Sequence, residues 1–402
     1  MTVLQSLQVV DLSHGIAGPL VGMFLADFGA EVVKIEPPGG DPTRETPGFS
    51  MWNRGKKSAV VDGADAAQCR WLGDLIAGAD ICIVKDEATL EQFGLSRAGL
   101  MARNARLIVV ELPPYARSTP WLGGHESAAL LGAIGGTAWR QSSTDGGPID
   151  SVFPHLLYVQ GVWGTVCTVA ALIEREKSGF GQAVTVTGIN AVMEAAVGAL
   201  TVNPDNPDPS TAVGTGGRHP TYTRYATKDG QWISCGALGG KFETWLVNAL
   251  GLGDMLKDER MGGNIANLVL ATNVDWAKDK IQKEFLKHDL DDLIKMITGL
   301  GIPCGKIGPT EAWLDHEQVK AIGMRAEVND PKRGTTAMPG IPINLTKTPG
   351  KVHGPAPVLG ADTGKITVRP APPRPDKTPQ LRPGPLTGYR ILDMGTFVAG
   401  PY

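Results

Sequence analysis

The stretch Leu7–Glu36, LQVVDLSHGIAGPLVGMFLADFGAEVVKIE, changes its hydrophobic period twice, and that change decides the fold. Leu7 to Leu12 is a short apolar run closed by Asp11-Leu12-Ser13. Pro19 then suits a first helical turn, because its missing N–H would be unpaired there in any case. Leu20 to Phe28 is apolar at helical spacing and stops at Gly29, and Glu31 to Glu36 follows as a β-branched strand. The segment therefore reads as a βαβ unit. The same grammar returns with Ser58 to Asp62 extended, Ala64 to Ala77 helical, Asp80 to Val84 extended and Leu107 to Glu111 as a buried strand. Strands alternating with helices predict an α/β fold with a parallel sheet covered on both faces.

Further along, Val159, Val162, Trp163, Val166, Val169, Ala170 and Ile173 share one stripe, and Lys177-Ser178-Gly179 supplies a cationic last turn and a glycine stop. A long amphipathic helix is expected from Leu157. Asn203 to Pro220, dense in Asn, Pro, Asp and Gly, is either a functional loop or a domain junction. Thr221 to Leu314 reads as a smaller α+β region, with a strand at Trp232 to Cys235 and helices around Phe242 to Leu250 and Asp289 to Ile297. Pro370 to Pro385 has the composition of a semi-rigid linker. Beyond it, Ile391–Pro401 (ILDMGTFVAGP) repeats Val9–Pro19 (VVDLSHGIAGP) at one constant offset, with Asp393 on Asp11 and Pro401 on Pro19. This reads as the opening of a second copy.

The 402 residues carry 38 Lys+Arg against 41 Asp+Glu, a formal net charge of −3, with 42% hydrophobic residues. That is a globular composition without the basic block that nucleic acid would require. The five cysteines are scattered, odd in number and without CxxC or Cys/His spacing, so they are expected as reduced core residues with no metal site. The start lacks a signal-like apolar core, and no apolar run is expected to approach the ~18 residues that span a bilayer. The expected location is the cytoplasm, without a membrane partner.

Ser13 to Gly18 precedes a helix N-terminus, where free N–H groups favour an anion or an acyl oxygen; the alternative is a plain strand-to-helix turn. Gly15 and Gly18 do not make GxGxxG, so NAD is not expected. Asn53-Arg54-Gly55-Lys56-Lys57 is a cationic turn that either meets a phosphate or is simply solvated.

Several segments, in order, resemble the family III CoA-transferases, also called the CaiB/BaiF family. They are DLSxxIAGP at Asp11 to Pro19, GAEVVKIEPPGGDPTR at Gly29 to Arg44, NRGKKS at Asn53 to Ser58 and REKSGFGQAVTV at Arg175 to Val186. TKDGQW at Thr227 to Trp232, GIPCGKI at Gly301 to Ile307 and PVLGADT at Pro357 to Thr363 continue the series. The resemblance implies a Rossmann-like large domain built from both chain ends, an inserted smaller α+β domain, and an interlocked-ring dimer or pseudo-dimer. On this basis the expected organisation is a large domain at 1–200, a glycine loop and junction at 201–220, a small domain at 221–325, a return to the large domain at 326–365, a linker at 366–387 and a second family III copy from 388 to 402. It also implies acyl-CoA and a carboxylic acid as partners, with coenzyme A as a substrate. The expected associate is a second family III copy in the same polypeptide or a homodimer partner.

By the same resemblance, Gly15, Ile16, Ala17 and Val61 would line the CoA site. Lys85, in a Lys85-Asp86 pair replacing the usual Asn-Phe, would alter its pyrophosphate end. Glu126 matches a glutamate near the reacting carboxylate, and Gly214-Thr215-Gly216-Gly217 resembles a glycine loop that closes over the site; an ordinary surface loop is the alternative reading. His125-Glu126 is also similar to the His-Asp pair of α-methylacyl-CoA racemases, against a purely structural role. The family's nucleophilic aspartate stands 22 or 23 residues before the glycine that ends the long helix. Counting back from Gly179 gives Leu157 or Leu156, neither of which can attack a carbonyl. Asp150 is the nearest substitute. Three readings follow: a transferase half whose chemistry lies in a second copy, an active transferase or racemase using Asp150 or Glu126, and a non-catalytic CoA-binding or scaffolding module.

Overall fold

The structure, a computed structural model, describes residues 2–116, 124, 126–140, 147–195, 219–376, 378 and 384–395. The chain divides into two compact units. The first comprises Met1–Leu131, Phe153–Val197 and Gln318–Tyr402, and the second Gly132–Val152 and Gly198–Glu317.

The first unit is built on six strands, β1 (Gln8–Asp11), β2 (Glu31–Glu36), β3 (Lys57–Val60), β4 (Ile81–Val84), β5 (Ile108–Glu111) and β6 (Ala183–Thr185). All neighbours are parallel, in the order β3-β2-β1-β4-β5-β6. This is the doubly wound order in which the chain reverses direction across the sheet between β1 and β4. Alternate residues explain why both faces are covered. Val10, Val33, Cys82 and Val109 face one apolar cluster with Leu72, Leu75 and Ile76, whereas Val9, Val32, Ile81 and Ile108 face another with Val21, Leu25 and Ala171. The helices up to Ala195 are α1 (Ala17–Asp27), α2 (Pro47–Trp52), α3 (Ala66–Gly78), α4 (Glu87–Glu91), α5 (Arg97–Arg103), α6 (Ala128–Ile134), α7 (Thr137–Arg140), α8 (His155–Ser178) and α9 (Gly188–Ala195), of which α1, α3, α4, α5 and α8 supply partners to these clusters and α7 belongs to the second unit.

Helix α8 corrects two expectations. It is long and apolar enough, by length and composition, to cross a bilayer, which no run in the sequence was expected to be. Its inner face is nevertheless committed to the sheet and to α1: Leu157, Gln160, Gly161, Gly164, Thr168 and Ala171 are buried. The packed stripe is also not the valine stripe. A β-carbon on Gly161 would collide with Leu20 and the Ala17 carbonyl, and one on Gly164 with Val21 and Leu112, so the helix is drawn in along its small residues. Val162, Val166 and Val169 are left 44%, 50% and 40% exposed. The helix closes at Gly179, in the left-handed region with φ +85°.

In the second unit, the antiparallel strands β7 (Tyr222–Ala226), β8 (Trp232–Gly236) and β9 (Cys304–Lys306) pair in that order. The helices α10 (Gly240–Ala249), α11 (Val274–Phe285) and α12 (Leu290–Gly299) cover one face through Leu246, Ile281, Phe285, Leu293 and Ile297. The cysteine expectation holds only for Cys82 and Cys235, which are buried; Cys69, Cys167 and Cys304 are half-buried, and all five are free thiols.

Candidate functional site

The carboxyl ends of β1 and β4 open onto the loops Leu12–Ile16 and Lys85–Asp86, at the point where strand order reverses, the usual ligand crevice of an open parallel sheet. A buried charge network holds the first loop from below. Lys56 Nζ lies 2.8 Å from Asp11 Oδ2 and donates also to the Pro19 carbonyl and to Asn53 Oδ1. Lys34 Nζ donates to the Ser13 carbonyl at 2.9 Å and pairs with Asp41 at 2.7 Å. Asp11 Oδ1 accepts hydrogen bonds from the backbone N–H and the hydroxyl of Ser13. Burial alone would raise the Asp11 carboxyl, but Lys56 and Lys34 hold it below its ordinary value. Burial pushes the Lys56 ammonium down to about 8, with Asp11 opposing. Unpaired, such charges would cost several kcal/mol each.

Apart from the exposed Lys57, the cationic turn at Asn53–Lys57 is therefore neither solvated nor a free phosphate cradle. Asn53, Arg54 and Lys56 are buried, and Arg54 grips Asp27 bidentately, at 3.1 and 2.6 Å. The signal available in sequence was Lys34 and Glu36 inside an apolar parallel strand, which demands buried partners. Lys34 meets Asp41, and Glu36 meets Arg44 and Ser58.

Gly15 has φ +80°, and a β-carbon there would come within 3.2 Å of Glu126 Oε1. The Glu126 carboxyl thus lies directly against the loop. Burial raises its pKa, offset in part by the charge of Lys85. His14 was not singled out in the sequence. Although the residue as a whole is exposed, desolvation and then the Lys85 charge hold its imidazole below the usual range. Lys85 therefore delivers positive potential to both groups. Its neighbour Asp86 caps α4, accepting from Thr89 N at 3.1 Å, which explains an aspartate at that position.

Leu156 and Leu157 lie at the first turn of α8, 1% and 6% exposed, in an apolar cluster with Tyr115, Leu131 and Val192. Ile16 of the loop packs on that cluster, so the leucines and the Gly15 loop are neighbours. Ala17 is buried at the start of α1, and Val61 is buried in the cluster on the α3 face, its N–H bonded to the Glu36 carbonyl. Asp150 is exposed and belongs to the second compact unit, so the first unit does not itself bring it to Gly15 and Glu126. His125 and Gly214-Thr215-Gly216-Gly217 lie outside the described residues. Among the described residues, no group of three or more His, Cys, Asp or Glu could hold a metal ion.

This switch-point loop, set in a doubly wound sheet and backed by a buried Lys-Asp network, accompanies a match of residues 4–363 to CoA-transferase family III. The chain belongs to that family. The family III chain is similar to succinyl-CoA–D-citramalate CoA-transferase of Chloroflexus aurantiacus, at 28% identity over 90% of this chain and 92% of that protein. It is similar at 27% identity to a protein of Mycobacterium tuberculosis named probable CoA-transferase Rv1866; that match takes in 98% of this chain but 51% of the relative. Among solved structures, a CAIB/BAIF family protein from Brucella suis superposes with a TM-score of 0.77 at 25% identity, covering 90% of this chain and 98% of that one.

Proposed function

We propose that this chain serves the transfer of CoA between an acyl-CoA and a carboxylic acid as the half of a two-copy enzyme that lacks the nucleophile. The observation that carries the proposal is the apolar cluster around Leu156 and Leu157. Where the family places a carboxylate beside the CoA loop, this chain buries two alkyl side chains against Ile16. A carboxylate nucleophile would attack the thioester carbonyl and expel CoA thiolate, giving a mixed anhydride; the thiolate would then attack the enzyme-side carbonyl of that anhydride, releasing the donor acid as a carboxylate and leaving the enzyme carboxyl as its CoA thioester. An alkyl group has no electron pair to begin that sequence. This half would contribute the Gly15 loop, the Lys85 charge and Glu126 as site walls, and leave covalent chemistry to its associate.

Two further observations support an associated second copy. The match to the Mycobacterium tuberculosis relative, of which this chain spans about half, extends over 98% of the chain, whereas the Chloroflexus protein aligns with 90% of it. The exposed valines of α8, together with Met193 at 53% exposure, form the kind of apolar surface that a partner covers. That partner would be a second family III domain, in the same polypeptide or in a dimer. A second reading, in which this chain is active alone, rests on Glu126, whose raised pKa and contact with Gly15 give it the burial of a reactive carboxyl.

Thioester exchange from succinyl-CoA to a panel of carboxylic acids separates the two readings. Residues 1–402 alone are expected to show no exchange, and a longer polypeptide containing the full repeat is expected to show it. Exchange by residues 1–402 at roughly 1 s⁻¹ or faster, abolished by Glu126→Gln, would establish the second reading instead.

A further inference from the structure

The outer face of the β7-β8-β9 sheet, opposite the helices, holds a cavity of about 670 Å³ lined by none of the residues assigned above to CoA transfer. Its lining lies entirely within the second unit and includes Tyr222, Arg224, Ser234, Gly236, Gly305 and Ile307. Register explains its shape. Arg224 stands opposite Ser234, and Ser234 opposite Gly305, so one cross-strand row runs from a guanidinium through a hydroxyl to a position with no side chain. Tyr222 stands opposite Gly236 in the next row. The floor is thus low, and Tyr222 and Ile307 rise beside it, 54% and 43% exposed.

Gly305 is unusual for a strand. Its φ is not in the left-handed region, and a β-carbon there would meet nothing within 4 Å. Neither backbone conformation nor packing requires glycine. A strand glycine with open space above it marks a place where another group approaches closely. At the head of the row, Arg224 forms no ion pair or hydrogen bond with any of the described residues. Lys278 lies near enough to feel the Arg224 charge, although burial lowers its pKa first and the Asp275 carboxylate beside it raises it more than Arg224 lowers it. A planar guanidinium without a counter-charge among the described residues is matched by a planar anion, and a forked carboxylate fits it best.

We infer that this cavity binds a small organic acid, its carboxylate on Arg224 and its apolar body lying over Gly305 between Tyr222 and Ile307. The volume falls in the range of small-molecule sites. The inference rests on residues of the second unit alone and stands whether or not this chain takes part in CoA transfer.

The test is calorimetric titration of the 402-residue chain with hexanoate, using hexanol as the uncharged control. Hexanoate is expected to bind and hexanol to bind at least tenfold more weakly. Arg224→Gln should weaken hexanoate at least tenfold, and Arg224→Lys should recover part of that loss. Gly305→Val should abolish binding by filling the floor, with an unchanged thermal melt because its side chain enters open space. Three results would overturn the inference: no hexanoate binding up to 10 mM, unaltered binding in Gly305→Val, or a change of oligomeric state in Arg224→Gln showing that a second copy of the chain covers this face.

Discussion

Val9–Pro19 and Ile391–Pro401 share a sequence pattern and have opposite fates. Val9, Val10 and Asp11 are wholly buried, with Val9 in register with Val32 on one side and Ile81 on the other. Ile391, Leu392 and Met394 are 80%, 84% and 83% exposed and form no strand. One feature survives in both. Asp11 Oδ1 accepts from the N–H of Ser13 at 2.9 Å, and Asp393 Oδ1 accepts from the N–H of Gly395 at 2.7 Å. The aspartate turn is local and forms wherever its residues occur, whereas the strand exists only when neighbouring strands and a buried lysine complete it.

The contrast is broken most forcefully at the aspartates. Asp11→Asn leaves Lys56 buried without its counter-charge and should cost about 3–5 kcal/mol in urea unfolding. Asp393→Asn, which keeps an oxygen for the turn and has no buried partner to strand, should stay within about 0.5 kcal/mol of the parent. Equal effects at the two sites would contradict the tertiary origin of the difference. Next in size are the leucines. Leu156→Ala opens a cavity beside Tyr115 and Leu131 and should cost about 2–5 kcal/mol, whereas Leu392→Ala should be nearly silent.

The smallest effect is expected at Glu126. Its folded pKa lies above the unfolded value, so its contribution to stability is fully present below the unfolded pKa and is lost as pH rises through the folded one. Glu126→Gln should therefore gain on the parent in thermal midpoint between pH 4 and pH 7. A difference that shrinks over that window would reverse the assignment.

The parallel, doubly covered sheet was legible because β1, β2, β4 and β5 are short apolar runs separated by helical spacing, whereas the strand order was not. Nor was the packed face of α8. Periodicity marks where apolar bulk recurs, and the valines recur cleanly, but the approach of α1 selects Gly161 and Gly164, which hydropathy undervalues. The basic turn misled for a related reason: charge suggests solvent, and Lys57 does reach it, yet Arg54 and Lys56 have buried acceptors from distant sequence, Arg54 in Asp27, Pro339 and Gly340 and Lys56 in Asp11. At the candidate site the family resemblance directed attention to Leu156, Leu157 and Glu126. It could not reveal that Glu126 touches Gly15, or that His14 and Glu126 share the field of Lys85, because those contacts join separate loops at the sheet edge.

The most direct test is the intact mass of the protein after incubation with succinyl-CoA. Residues 1–402 should keep their unmodified mass, while a longer polypeptide with the complete repeat should carry a CoA thioester that maps beyond Tyr402. A CoA adduct on Glu126, Asp150 or any other carboxylate within residues 1–402 would contradict the account.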